Sequence, residues 1–267
     1  MSGALFAFGG KGGSGKTTVA ALVARRLVGT GVRPVLAVDA DPNATLGLTL
    51  GVEVRGTIAD LRERMGRAAQ EVSEISKDRL MGLWLSELLG EGAGFDLLTL
   101  GRPEGPKCYC YVNSLLRRYL KELRGQYAAV VVDCEAGMEY LSRLTVEDID
   151  ALVLVAEATA IGLTSARRIA ELATALAVGV KRRYLVLNKI GQANELAERA
   201  GLGTGPKVDA VVRIPFDPDL LGRCVRGEII DESAGAATRP AIEELTRLCA
   251  GGAGATLPPA GAKEPMA

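Results

Sequence analysis

The sequence predicts an α/β domain built on a mainly parallel sheet. Apolar runs of strand length recur along the chain without clean alternation, as expected of strands covered on both faces. Helically patterned stretches lie between them, and such β-α alternation builds parallel sheets. A glycine-rich stretch also follows the first run at once.

The expected strands are Ala4–Phe8, Pro34–Asp39, Phe95–Leu100, Ala128–Asp133, Ala151–Ala156, Arg183–Asn188 and Val208–Ile214. Helices are expected at Lys16–Gly29, Val112–Leu123, Leu163–Ala177 and Arg239–Leu248. Residues 52–94 are charged and amphipathic, and read as helices inserted between two strands that cover the sheet. Residues 1–250 are therefore expected to form one domain. The end, GGAGATLPPAGAKEPMA, has too few apolar residues to pack, so residues 251–267 are expected to be a disordered tail.

Composition narrows the function classes. The 267 residues are 48% hydrophobic, and Lys+Arg and Asp+Glu both total 32, so the formal charge is zero. No basic footprint for nucleic acid is present. The opening MSGALFAFGG lacks the pattern of a secretory signal, and ALVLVAEATAIGL is too short to span a bilayer. The expectation is a cytoplasmic protein with neither a nucleic-acid nor a membrane partner. Five cysteines, at 108, 110, 134, 224 and 249, are too sparse for a secreted disulfide framework, so reduced thiols are expected.

The stretch GGKGGSGKTT runs from Gly9 to Thr18 between the first strand and the first helix. Gly10, Gly15, Lys16 and Thr17 fit the G-x4-G-K-[ST] phosphate loop in the strand–loop–helix context that motif requires. Glycines allow the backbone amides of Gly10, Gly12, Gly13, Ser14 and Gly15 to face phosphates, and the helix N-terminus adds partial positive charge. Lys16 would meet β/γ-phosphate oxygens, with the Thr17 hydroxyl on Mg²⁺ and Thr18 beside it. The fold class is thus a P-loop NTPase, a mainly parallel twisted sheet flanked by helices, with ATP/ADP and Mg²⁺ as cofactors.

Lys11 is a second lysine in this loop, and KGGSGKTT resembles the deviant Walker A motif of the MinD/ParA/nitrogenase-iron-protein superfamily of dimeric ATPases. That resemblance implies a homodimer in which Lys11 reaches the partner's phosphates. VLAVDADPNATL supplies Asp39 and Asp41 at the end of the second strand. A carboxylate there can orient an attacking water; by similarity Asp41 has that role and Asp39 supports it. AAVVVDCEAG supplies Asp133 at the Walker B position. Asn188 and Lys189, in YLVLNKI, are candidates to meet the adenine edge, since an amide offers one donor and one acceptor. IPFDPDL resembles the superfamily's adenine-covering loop, with Pro215, Phe216 and Asp217 as candidates.

KCYCYVN holds Cys108 and Cys110 one residue apart in a chain without histidine. A C-x-C pair can be a redox couple, half of a metal site, or two buried thiols. Two sulfurs are too few for a closed tetrahedral site, whereas a two-fold dimer supplies four. GRPEGPKCYCYVNSLLR, with the phosphate loop and DCEAGMEYLSR, closely resembles the nickel-insertion accessory ATPases of carbon monoxide dehydrogenase. The resemblance implies Ni²⁺ or Zn²⁺ on Cys108 and Cys110 between subunits, and carbon monoxide dehydrogenase or a related nickel enzyme as client. Tyr140 and Cys134 depart from that family, which often has histidine and asparagine there. A positioning ATPase of the MinD/ParA kind and an iron–sulfur carrier ATPase are the alternatives.

Overall fold

The computed structural model describes residues 3–68, 74–102, 118, 120–134, 148–175, 179–191, 205–231 and 234–252. In chain order the elements are β1 (Ala4–Gly9), α1 (Lys16–Gly29), β2 (Val35–Ala40), α2 (Leu46–Leu50), α3 (Ile58–Ala68), α4 (Glu74–Leu88), β3 (Gly90–Glu91), β4 (Phe95–Thr99) and β5 (Ala129–Cys134). There follow β6 (Asp148–Ile149), β7 (Ala151–Glu157), α5 (Ala160–Ala175), β8 (Gly179–Val180), β9 (Arg183–Ile190), β10 (Ala210–Pro215), α6 (Pro218–Arg226) and α7 (Arg239–Gly252).

Eight strands form one sheet in the order β10-β9-β7-β1-β5-β2-β4-β3. Every pair is parallel except β3–β4 at the edge, while β6 and β8 form a separate two-stranded ribbon. This is the mainly parallel sheet flanked by helices that the sequence predicts. All seven expected strands are present.

Strand parity explains why the apolar runs are continuous. Leu5, Ala7, Val130, Val132, Leu152 and Leu154 face one layer, where they meet Leu61 and Met65 of α3, Met81 and Leu85 of α4, and Leu163 and Ile169 of α5. Phe6, Phe8, Val131, Val153 and Val155 face the other, against α1, Leu46 and Leu50 of α2, and Ile242 and Leu245 of α7. The central strands β1, β2, β5 and β7 bury both faces, whereas the edge strand β10 leaves Val211 and Arg213 exposed. The inserted residues 52–94 do cover one face, through α3 and α4.

Differences from expectation are local. The ribbon strands and β3 are two residues long, too short to show a period. Helix α6 begins at the end of IPFDPDL, where a loop is expected, and runs past it to Arg226. It has a clear start and stop: Asp217 accepts from the Asp219 and Leu220 amides, Pro218 opens the first turn, and Gly227 closes the end at φ 66°. Helix α7 extends to Gly252, two residues into the expected tail, whose remainder lies outside the described residues. Most of the helix expected at Val112–Leu123 also lies outside them; residues 120–124 are helical.

The sheet end opposite the glycine-rich loop is pinned by Asp150. Its carboxylate accepts from Leu5 N at 2.8 Å, from Lys181 Nζ at 2.8 Å and from Arg124 Nη2 at 3.3 Å. These bonds set the start of β1 against β7. Asp150→Ala strands a buried amide and is expected to lower the unfolding free energy by about 2 kcal/mol. Urea denaturation checks this; an unchanged midpoint would refute it.

Candidate functional site

The site lies at the carboxyl edge of the sheet, where open parallel sheets bind ligands. The loop from Gly10 to Gly15 leaves β1 and enters α1. Gly10 has no alternative: a Cβ there would come within 2.4 Å of the Val155 carbonyl oxygen. Gly15 sits at φ 90°, and a Cβ would come within 2.4 Å of Asn188 Nδ2.

The strands aim two carboxylates at α1. Asp39 and Asp133 are in register on adjacent strands and share the parity of Ala37 and Val131, which face the α1 layer. Both are fully buried. Thr17 Oγ1 donates to Asp133 Oδ2 at 2.6 Å. Asp39 accepts from the Leu46 amide at 2.8 Å and the Asp41 amide at 3.1 Å, and so shapes the turn after β2. Asp41 emerges from that turn and binds Lys16 Nζ at 2.8 Å. The Asn43 backbone and side-chain amides also donate to Asp41, at 3.0 and 2.9 Å.

Three carboxylates thus surround one ammonium. Burial works against charge on Lys16, but Asp133, Asp41 and Asp39 outweigh it and raise its pKa. Burial raises Asp39 to about 6, against the pull of its two amide donors. Burial likewise raises Asp133 to about 7, against Lys16 and the Thr17 hydroxyl. Burial also acts to raise Asp41, but Lys16 and Asn43 more than offset it, and its pKa falls below the ordinary value.

Two buried polar atoms here, Ser14 Oγ and Asp133 Oδ1, have no hydrogen-bond partner among the described residues. An acceptor oxygen of this kind beside the Thr17 hydroxyl fits a hydrated Mg²⁺. A loop with Lys16 at its end fits the phosphates that such an ion accompanies.

Asn188 and Lys189, expected at the base, engage the glycine-rich loop. Asn188 Nδ2 donates to the Ser14 carbonyl at 2.8 Å, and its Oδ1 accepts from Lys189 N at 2.9 Å. Lys189 Nζ reaches the Gly13 carbonyl at 2.6 Å and Glu157 Oε1 at 2.9 Å. Phe216 is 47% exposed beyond Pro215, and Asp217 is committed to capping α6. Thr18 Oγ1 lies 4.0 Å from Cys224 Sγ on α6. Lys11 is exposed on the rim of an open groove lined by Ile161, Thr164, Ser165 and Arg168 of α5. Gly12 and Gly13 are exposed beside it.

Cys108, Cys110 and Tyr140 lie outside the described residues. Cys134 is buried beside Asp133, and burial raises its pKa, which disfavours thiolate. Among the described residues, no group of three or more His, Cys, Asp or Glu is placed to hold a metal ion. No described helix is long and apolar enough to cross a membrane.

Sequence reasoning missed Glu157 and Asn43. Glu157 ends the otherwise apolar run ALVLVAE at the strand's carboxyl end. A lone charge at that position was the available signal. Asn43 lies in the Asp-Pro-Asn turn beside Asp41, where its amide was not considered.

The raised Asp133 carries a stability consequence. A carboxylate whose folded pKa exceeds its unfolded one destabilises the fold wherever it is ionised. The penalty is absent below the unfolded value of 3.8, grows with pH, and is complete above about 7. Asp133→Asn keeps an acceptor for Thr17 and should raise unfolding stability by roughly 2 kcal/mol at pH 8. That gain should shrink steadily toward pH 4. Urea unfolding across this range tests it, and a pH-independent difference would refute it.

Residues 5–221 match the CobQ/CobB/MinD/ParA nucleotide binding domain family, CbiA. An uncharacterized ATP-binding protein of Methanocaldococcus jannaschii is 35% identical over 227 residues, covering 84% of this chain and 88% of its own. The carbon monoxide dehydrogenase accessory protein CooC of Rhodospirillum rubrum is 32% identical over 220 residues, covering 78% and 82%. A chain of the MinC:MinD cell division protein complex of Aquifex aeolicus has the same fold, with a TM-score of 0.66 at 24% identity over 94% of this chain and 96% of that one. The chain is therefore a P-loop ATPase and belongs to the CobQ/CobB/MinD/ParA nucleotide-binding family.

Proposed function

We propose that this ATPase is a homodimeric metallochaperone. It binds Ni²⁺, or Zn²⁺ by the same softness of thiolate ligands, through Cys108 and Cys110. It supports nickel insertion into carbon monoxide dehydrogenase or a related nickel enzyme. The observation that carries this reading is the C-x-C pair in a histidine-free chain that is 32% identical to a carbon monoxide dehydrogenase accessory protein. Four thiolates from two chains would complete the metal's ligand set, and Lys11, exposed on the loop, would complete the partner's nucleotide site.

Chemistry at the phosphate loop follows from the Lys16–Asp41 pair. Phosphate oxygens compete for the Lys16 ammonium, and its withdrawal frees Asp41 to accept from an attacking water. Loss of its closest cation makes Asp41 more basic as the γ-phosphate arrives. Asn43 continues to orient the carboxylate through its two donors. Mg²⁺, held by Thr17 and, through water, Asp133, would neutralise charge on the phosphates.

The route from this site to the thiols begins at β4. Leu100 N donates to the Asp39 carbonyl oxygen at 2.9 Å, shortly before the chain continues toward Cys108. The end of β2, which leads into the Asp41 turn, is thus bonded to the segment that runs on toward Cys108, which supports coupling of nucleotide state to metal affinity.

Asp41→Asn should lower the ATP hydrolysis rate by about 100-fold or more while nucleotide affinity changes by less than about threefold. Steady-state kinetics with nucleotide titration measures both, and retained turnover would remove Asp41 from the reaction. An anaerobic nickel titration with ATP or ADP, beside the Cys108→Ser/Cys110→Ser variant, tests the cargo. About half a metal per chain, lost in the variant, is expected of a shared four-thiolate site. Binding that ignores the two serines would leave a nucleotide-driven interaction switch of the MinD/ParA kind.

A further inference from the structure

We infer that Glu157 is a positioning residue of the ATPase, acting through Lys189 on the tip of the phosphate loop. The inference rests on the family's ATPase chemistry and on nothing about nickel.

Two successive loop carbonyls are held from β9. Lys189 Nζ holds the Gly13 oxygen and Asn188 Nδ2 holds the Ser14 oxygen. In a trans peptide the carbonyl and the next N–H point opposite ways. Fixing the Gly13 oxygen therefore fixes the Ser14 amide, which closes the turn onto the Lys11 carbonyl at 3.1 Å. Fixing the Ser14 oxygen likewise aims the Gly15 amide away from Asn188. The cradle's donors are thus set by their carbonyls.

The Lys189 anchor is itself an arranged element. Its backbone sits at φ 58°, a left-handed conformation that a non-glycine residue adopts at a cost. Register places Glu157 opposite Asn188, next to Lys189 on the neighbouring strand. The Glu157 carboxylate then holds the lysine's ammonium at 2.9 Å. Lysine has four rotatable carbons and a point charge, and this acceptor draws Nζ to the side on which it meets the Gly13 carbonyl. Glu157 also begins the turn into α5, since Thr159 N donates to its carbonyl at 2.7 Å. The same residue therefore joins the loop that carries Lys11 to the helix that forms the other wall of the Lys11 groove.

As a structural ion pair this contact is of little value. Both side chains are nearly half exposed, and such pairs contribute little to stability. Its effect should therefore appear in nucleotide binding and hardly in folding.

The test is a double-mutant cycle in the full-length protein, read by ATPase kinetics and thermal unfolding. Glu157→Gln should raise KM for ATP about fivefold with kcat changed less than about twofold, because the cradle is needed equally in the ground and transition states. Glu157→Asp, which keeps the charge, should recover at least about half of that loss. Lys189→Met should raise KM by about tenfold, and adding Glu157→Gln to it should change KM by less than about twofold, since the carboxylate then has nothing to hold. Melting temperatures of Glu157→Gln and wild type should agree within roughly 2 °C. Independent, multiplicative effects of the two substitutions would overturn the inference. So would an unchanged KM in Glu157→Gln, or a fall in melting temperature that accompanied the loss.

Discussion

One ammonium among three carboxylates organises the working edge of this protein. Lys16 is nearly buried, paired with Asp41, and faces Asp133 and Asp39 across the ends of two adjacent strands. The arrangement carries more negative than positive charge in a place poor in water. It responds by raising Asp39 and Asp133 and lowering Asp41. Such an imbalance is unfavourable for folding and useful for binding. A cation bound beside Asp133 and an anion bound at Lys16 would each relieve part of it.

The rest of the fold keeps that cluster in place. Both faces of every central strand are buried, by α3, α4 and α5 on one side and by α1, α2 and α7 on the other. A one-residue slip of β5 against β2 would turn Asp133 from α1 toward the opposite apolar layer, so register and function are one constraint. At the far end Asp150 anchors the start of β1, and at the near end Asn188 and Lys189 hold the loop that leaves it. The phosphate loop is thus held at both ends of its strand and along its own carbonyls. A rigid scaffold of this kind is what a cradle of backbone amides requires, since misdirected amides cannot be replaced by side chains.

Local readings survived where the signal was local. The long strands other than β10 stood out because apolar runs buried on both faces need no partner to be recognised. The phosphate loop stood out because Gly10 and Gly15 meet steric limits that no other residue satisfies. Helix α6 was equally legible, through Asp217, Pro218 and Gly227, yet the pattern IPFDPDL was read as a loop over a base. Asn188 and Lys189 show the opposite case. They are expected just past a strand, yet both lie inside β9, and the sequence held nothing to say that their side chains turn to the Gly13 and Ser14 carbonyls, about 175 residues earlier in the chain.

The sequence by itself determined the parallel architecture, the family's phosphate loop and the identity of the three aspartates, because each is written in spacing and residue type. It also supplies Cys108 and Cys110, on which the proposed cargo depends. Tertiary structure decided which carboxylate pairs with Lys16, which are pushed toward neutrality, and that Glu157 stands beside Lys189. Those are matters of burial and of distance between strands remote in the chain. A charge's pKa and partner are set by what the fold removes from water around it, and no linear pattern encodes that.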